Sequence, residues 1–119
     1  TRAQVRFATR EEGVSFNDHP EKIHAQFYVH SDGYPAGLGV DIAESIADNI
    51  SVGFGWEIEH VQDLHGDLNY IYYIWSDYDK STWISIFEGF GNGDDFKCIF
   101  VGTPEKLIGK YKLNTNEDG

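Results

Sequence analysis

The stretch Phe27–Gly39 reads FYVHSDGYPAGLG and connects the clearest strand pattern of the chain to its clearest helix pattern. The residues KIHAQFYVH, which lead into it, alternate between apolar and polar side chains, and this alternation predicts a half-buried strand. Within the stretch, Asp accepts local backbone hydrogen bonds, Gly permits a positive φ and Pro fixes φ. These residues therefore predict, at the least, a sharp corner between a strand and a helix.

The segment that follows predicts an amphipathic helix over Leu38–Ile50. Apolar side chains recur at every fourth position, at Leu38, Ile42, Ile46 and Ile50. Acidic side chains fall on the opposite side, at Asp41, Glu44 and Asp48. Because an apolar stripe of this period has to be buried, we expect the helix to cover one face of a sheet. An acidic residue in the first turn also suits the helix dipole.

Further strand patterns lie on both sides of this unit. They cover Gln4–Arg10, a short segment around Val14–Phe16, and Leu68–Ser76, Ser81–Gly89 and Phe96–Gly102. The segment SVGFGWEIEHVQDLHGDL is ambiguous, since Ile58, Val61 and Leu64 suit a short helix. Thr103 as N-cap and Pro104 after it predict a short C-terminal helix.

These elements predict an α+β fold. We expect an antiparallel sheet of about five strands, with the Leu38–Ile50 helix on one face and the short helix at the C-terminus. At 119 residues the chain is large enough for one domain, which we place at residues 1–113, followed by a polar tail at 114–119.

The net charge of −11 is the strongest feature of the composition. Twenty acidic residues face nine Lys and Arg, and all three arginines lie among the first ten residues. Such a chain repels phosphate backbones, so direct nucleic-acid binding is disfavoured. Solubility or a salty environment is the preferred explanation of the acidity, and a basic protein partner is the alternative. Neither a membrane-spanning run nor a signal-peptide pattern occurs, so we expect a cytoplasmic protein without a membrane partner. The single cysteine, Cys98, is interpreted as a small buried residue of a strand.

Three segments together resemble a family of small uncharacterised proteins of bacteriophages and bacterial genomes. The segments are TRAQV at residues 1–5, FYVHSDGYPAG at 27–37 and HGDLNYIYYI at 65–74. The family motifs are FYxHSDGYPxG, with a basic residue at the first variable position and an acidic one at the second, and HGDxxYxY. This chain has Val29 and Ala36 at those two positions, so it lacks that pair of charges. The resemblance implies a phage-type accessory protein, located in the host cytoplasm if phage-encoded, and implies no particular activity.

Both corner motifs contain a histidine with an aspartate two residues later. The four residues are His30, Asp32, His65 and Asp67. If the corners converge at one end of the sheet, a carboxylate could orient an imidazole for acid–base catalysis or ligand binding. The alternative, which we favour, is that these side chains bond to local groups and fix the turns.

The sequence predicts neither a metal site nor a cofactor. Five histidines are present, at positions 19, 24, 30, 60 and 65, but none of their spacings matches a metal-binding motif. The GLG sequence before the helix has no nearby Lys or Arg and is followed by Asp41, which opposes the binding of a phosphate there.

Acidic and aromatic residues suggest a binding surface instead. The candidates are Asp41, Glu44 and Asp48 of the helix, with Tyr34, Trp75, Tyr78 and Trp83 as aromatic anchors. Asp77, Asp79, Asp94 and Asp95 could extend the acidic surface. The preferred function is therefore a non-enzymatic accessory protein that binds a host protein with a basic surface, such as a nucleic-acid-binding or defence protein. A small enzyme or ligand-binding protein and a structural virion component remain as alternatives, and the oligomeric state stays open.

Overall fold

A computed structural model describes residues 1–10, 15, 18–20, 22–48, 56–76 and 81–112, which have an α+β architecture. The elements in chain order are β1 (Ala3–Thr9), β2 (Lys22–Val29), a π-helical turn (Pro35–Gly39), α1 (Val40–Asp48), β3 (Trp56–Glu59), β4 (Leu68–Ser76), β5 (Thr82–Gly91), β6 (Lys97–Gly102) and α2 (Pro104–Tyr111). None of the described helices has the length and apolar character that crossing a membrane requires.

Three of the predicted features fall outside this description. Of the strand expected around Val14–Phe16, the structure describes only Ser15, which lies outside any strand or helix. The predicted end of the first helix at Ile50 and the polar tail at 114–119 also lie outside the described residues.

The described strands form one six-stranded sheet in the order β3-β2-β1-β4-β5-β6. Neighbouring strands are antiparallel except β1 and β4, which run parallel. The expected antiparallel sheet of about five strands is therefore roughly correct, but the described sheet is mixed and has six strands. The additional strand is β3, which contains Ile58, whereas Val61 and Leu64 lie in a non-helical connection. This connection crosses the sheet from β3 to β4, and the crossing makes β1 and β4 parallel.

One face of the sheet is covered by the two helices, as the apolar stripe predicts. Its buried strand residues are Ala3, Val5, Phe27, Val29, Tyr72, Ile74, Ile84 and Ile86. From the helix layer, Leu38, Ile42, Ala43 and Leu107 pack against them. The α-helix begins at Val40, two residues after the predicted start, because residues 35–39 form the π-helical turn.

The opposite face of the sheet is covered by chain connections. It carries buried polar side chains, namely Gln4, Gln26 and Ser85, and buried aromatic ones, namely Tyr28, Tyr73, Trp75 and Phe87. Residues 60–67 and His19 lie against it. We call this side of the sheet the polar face. Buried polar groups need hydrogen-bond partners, and the covering connections supply them.

The C-terminal helix forms as predicted. The Thr103 side chain accepts a hydrogen bond from the backbone nitrogen of Lys106, and Pro104 occupies the first turn. Leu107 is fully buried and attaches this helix to the sheet.

Candidate functional site

The two corner motifs lie at the same end of the sheet. Ala3 at the start of β1 pairs with Val29 at the end of β2 and with Tyr70 near the start of β4. Residues 30–34 follow directly after β2, and residues 65–67 come directly before β4. Both corners therefore border the start of β1.

Hydrogen bonds connect the two corner motifs directly. The buried Tyr72 hydroxyl, from HGDLNYIY, donates to the Gly33 carbonyl of the HSDGYP corner at 2.6 Å. In the other direction, the Tyr28 hydroxyl, from FYVHSDGYP, donates to the Asp67 carboxylate at 3.1 Å. The most distinctive parts of the sequence thus hold each other in place.

Three of the four His and Asp candidates contact the side chain of Tyr28. The His65 ring stacks on it with a centroid distance of 3.8 Å. The His30 ring meets it edge-on at 4.5 Å, and Asp67 accepts the hydrogen bond from its hydroxyl. The structure thus brings His30, His65 and Asp67 together around Tyr28.

The fourth candidate, Asp32, contributes through its backbone. It adopts a positive φ of 57°, and its carbonyl accepts a hydrogen bond from the Leu38 nitrogen at 3.2 Å. The adjacent Gly33 donates its backbone N–H to the Thr1 carbonyl at 3.1 Å. A Cβ at Gly33 would lie 2.9 Å from the Ala3 Cβ, so glycine is required where the corner passes β1.

The Asp67 carboxylate is bound on two sides. It accepts hydrogen bonds from Tyr28 and, at 2.7 Å, from Nη1 of Arg2. Desolvation opposes its ionisation, but these hydrogen bonds outweigh that effect and hold the pKa of Asp67 below its usual range. Burial, followed by the hydrogen bond to Asp67, raises the pKa of Tyr28. Neither group is tuned towards neutral pH, as a general acid or base would be.

The two histidines also have carboxylate partners. Nε2 of His65 lies 2.6 Å from Oε1 of Glu59, and Nε2 of His30 lies 3.0 Å from Oε1 of Glu57. Both glutamates belong to β3, so the imidazoles link this edge strand to the corners. The side chains considered for catalysis therefore also connect structural elements.

Glu59 is a central residue of the site that no sequence pattern singled out. Its side chain is only 10% exposed, and Oε2 accepts hydrogen bonds from Gln4 at 2.9 Å and from Gln26 at 2.6 Å. With the contact to His65, three polar side chains converge on this carboxylate. The alternation in WEIE was the available signal, because it predicts a strand with both glutamates on one face.

The hydrogen bonds continue across the polar face. Oε1 of Gln4 accepts from Arg6 at 2.7 Å, and Arg6 also donates to the Tyr73 hydroxyl at 2.7 Å. That hydroxyl lies 2.7 Å from Nδ1 of His19, whose ring stacks on Phe87. These hydrogen bonds join His19 to the cluster formed by Glu59, Gln4, Gln26 and His65, and they hold His19 against the polar face.

We expect His19 to make the protein less stable in mild acid. Burial lowers the pKa of His19, and the nearby Arg6 charge lowers it further, against the opposing effects of a backbone hydrogen bond at Phe96 and of Asp18 and Asp94. The unfolded chain then takes up this proton first as the pH falls. The stabilisation that neutral His19 provides is fully present above the ordinary histidine pKa of 6.5 and decreases as the pH falls below it. The free energy of unfolding in urea should therefore be lower at pH about 5 than at pH about 7.

The variant His19→Gln tests this expectation, because it does not titrate and its amide can still accept the Tyr73 hydrogen bond. It should have a flatter pH dependence than the unsubstituted protein. The control is His24→Gln, at an exposed histidine that contacts Thr9. An unchanged pH slope in His19→Gln would show that another group causes the acid sensitivity.

The acidic residues proposed on the first helix are exposed where the structure describes them. Asp41 and Glu44 both face solvent on α1. Partial desolvation of the exposed carboxylate, with a smaller effect of Glu44, raises the pKa of Asp41. Nζ of Lys112 lies 3.0 Å from Oε2 of Glu44, so this part of the surface is partly neutralised. The Asp48 side chain lies outside the description, as do Asp77, Tyr78 and Asp79.

The proposed aromatic anchors are separated by the fold. Trp75 is 2% exposed and stacks on Trp83 with a centroid distance of 5.6 Å. Both belong to the polar face, on the opposite side of the sheet from α1. The expectation of Trp75 as a surface anchor therefore conflicts with its burial, and Trp83 is half-buried beside it. Tyr34 is 42% exposed and remains available.

Neither a cavity nor a metal-binding arrangement distinguishes the four candidates His30, Asp32, His65 and Asp67. A cavity of about 450 Å³ near the corners is lined by Thr1, Asn69, Tyr70, Glu88 and Gly89, which include none of the four. In the described part of the chain, no group of three or more His, Cys, Asp or Glu side chains has a geometry that could hold a metal ion. Cys98 is half-buried in β6, where burial raises the pKa of its thiol.

Comparison with known proteins returns no match. No family model, no curated protein and no solved structure matches the chain. The function therefore has to be inferred from the chemistry of the surface and the site.

Proposed function

We propose that the chain is a non-enzymatic binding protein for a partner with a basic surface, and that it binds through one end of the sheet. We call this surface the acidic end. Its members are Asp32, Glu57, Glu88, Asp94 and Asp95, together with Asp67, whose charge is partly neutralised by Arg2. The strand register supports this grouping, because Trp56 beside Glu57 pairs with Val29, and Leu68 beside Asp67 pairs with Gly91.

The main support for the proposal is the concentration of negative charge at this end. All three arginines are engaged within the protein: Arg2 with Asp67, Arg6 in the buried hydrogen-bond chain and Arg10 over an indole ring. Among the described lysines, Lys97 lies closest to this end, since it is opposite Glu88 in the register of β5 and β6. Complementary charge of this kind accelerates association and selects basic partners.

The surface of α1, which the sequence suggested as the binding surface, is less strongly acidic than the acidic end. The second helix packs beside α1 and brings lysines to it: Lys106 and Lys110 lie on α2, and Lys112 follows it. Because Lys112 pairs with Glu44, the candidates Asp41, Glu44 and Asp48 contribute less net charge than their sequence pattern suggests. We therefore favour the acidic end as the main contact surface.

Tyr34 supplies an exposed aromatic side chain beside Asp32 in the same corner. Tyrosine is enriched among the residues that dominate protein interfaces. An aromatic anchor bordered by carboxylates suits a partner surface that has an apolar pocket surrounded by Lys and Arg. A phage-type accessory protein that acts on a host protein is consistent with this chemistry.

The His and Asp cluster supports a second candidate, a small enzyme or ligand-binding protein, because three of its four residues share Tyr28. However, Asp67 is held in the ionised form by Arg2 and Tyr28, and the nearby cavity is not lined by the cluster. A virion component, the third possibility, has no particular support from these contacts.

Charge reversal at two matched positions should test the proposal. The double variant Glu57→Lys/Glu88→Lys changes the acidic end, and Asp41→Lys/Glu44→Lys changes the helix by the same net charge. We expect the first to weaken binding of a decalysine probe about tenfold and the second less than about threefold. Calorimetric titration at low salt measures both affinities.

Salt and folding provide the controls for this titration. Raising the salt from about 50 to about 300 mM should weaken binding to the unsubstituted protein about tenfold, since ions screen exposed charges. Circular dichroism verifies that both variants fold. Equal losses in the two variants would mean that only net charge matters, and affinity that is independent of salt would exclude an electrostatic contact.

A further inference from the structure

Among the described residues, the edge strand β3 presents a backbone edge without a strand partner at the acidic end. It pairs with β2 on one side, and no described strand pairs with it on the other. The outward N–H and C=O groups of an edge strand are a template for an additional strand from another chain. The strand contains Trp56, Glu57, Ile58 and Glu59.

The side chains of β3 define what an added strand would contact. Ile58 is 78% exposed and lies on the side of the sheet that carries the helices, where Trp56 packs against Phe27. On the other side, the Glu57 side chain is 62% exposed, whereas Glu59 is buried. An added strand would thus contact apolar groups on one side and an exposed carboxylate on the other.

A second copy of this chain fits this edge poorly. Two molecules of charge −11 repel each other, and pairing of two β3 strands would place their glutamates close together. A segment with lysine or arginine at alternate positions would instead place cations beside Glu57. Apolar residues at the intervening positions would cover Ile58.

We propose that β3 binds an extended segment of a basic partner as an additional strand, with apolar and basic residues alternating along it. This proposal rests on the proposed function above and specifies how the partner is held. Main-chain hydrogen bonds would supply affinity, while Ile58 and Glu57 would select the alternating pattern.

The probe for this mode is a synthetic peptide of about eight residues that alternates valine and lysine. We expect its addition to protect from hydrogen exchange those backbone amides of Trp56–Glu59 that point away from β2. A matched peptide that alternates proline and lysine carries the same charge but lacks half of the backbone donors, and it should give no such protection. Ile58→Lys should weaken binding of the valine peptide about tenfold, since it removes apolar contact and adds repulsion.

The control is Ser76→Lys, which adds the same charge at an exposed side chain of β4 at the opposite end of the sheet. It should change the affinity less than about twofold. If both peptides bind equally and protect other residues, strand addition is wrong while binding of basic partners stands. If neither peptide binds at low salt, the proposed function fails as well. A dimer in sedimentation that Ile58→Lys dissociates would identify a second copy as the occupant and overturn the proposal.

Discussion

Replacement of Glu59 by alanine should lower the free energy of unfolding by about 2–4 kcal/mol. The carboxylate accepts hydrogen bonds from the fully buried side chains of Gln4 and Gln26 and contacts His65. Its removal deprives these groups of a charged partner in a site with little access to water. Urea unfolding at neutral pH measures the loss.

Glu57→Ala is the matched control for this substitution, since it removes an exposed carboxylate from the same strand. The contact between Glu57 and His30 lies at the surface, where such pairs contribute little, so we expect a change within about 0.5 kcal/mol. Similar losses in the two variants would contradict the assignment of Glu59 as the centre of the buried cluster.

The second large effect is expected at Asp67, where alanine should lower the free energy of unfolding by about 1–2 kcal/mol. Most of the loss comes from the Tyr28 hydroxyl, because this side chain is only 5% exposed and would lose its acceptor. The ion pair with Arg2 adds little, since both partners are partly exposed. Chemical denaturation measures the difference.

The pH dependence of this effect follows from the direction of the pKa shift. The pKa of Asp67 is lowered in the folded protein, so its stabilisation is present above the unfolded pKa and is lost as the pH falls through the folded pKa. Asp95→Ala, on an exposed loop, serves as the control. An Asp67→Ala protein as stable as its parent would show that this carboxylate does not hold the corners, and catalysis would become the better explanation for it.

Local patterns were sufficient to predict most of the individual elements. The alternation in KIHAQFYVH and the apolar stripe from Leu38 predicted β2 and α1, because burial of one face imposes a period on the sequence. Thr103 and Pro104 predicted the start of α2 in the same direct way. These signals depend only on neighbouring residues, and tertiary contacts did not override them.

Strand pairing was harder to predict than strand formation. The parallel pair β1 and β4 results from the connection at residues 60–67, which crosses the polar face without a helix. No local pattern encodes such a crossing, since its anchors are the distant side chains of Gln4 and Gln26. The strand β3 was missed because it has only four residues, and two of them are acidic.

Because local patterns do not encode distant contacts, only some of the site residues could be found from the sequence. The repeated pairs of histidine and aspartate marked both corners, and their convergence at one end of the sheet was anticipated as a possibility. Glu59 was missed because a glutamate on a short edge strand normally faces solvent. Trp75 was expected at the surface because tryptophan is enriched at interfaces, although the apolar residues on both faces of β4 are typical of a central strand.

Mapping of backbone amide shifts in the isotope-labelled protein, on addition of decalysine, would test the central claim most directly. Binding through the acidic end predicts that the largest changes occur at residues 30–34, 56–57 and 88–95. Changes confined to α1 and α2 would contradict this assignment and would place the contact surface on the helix layer instead.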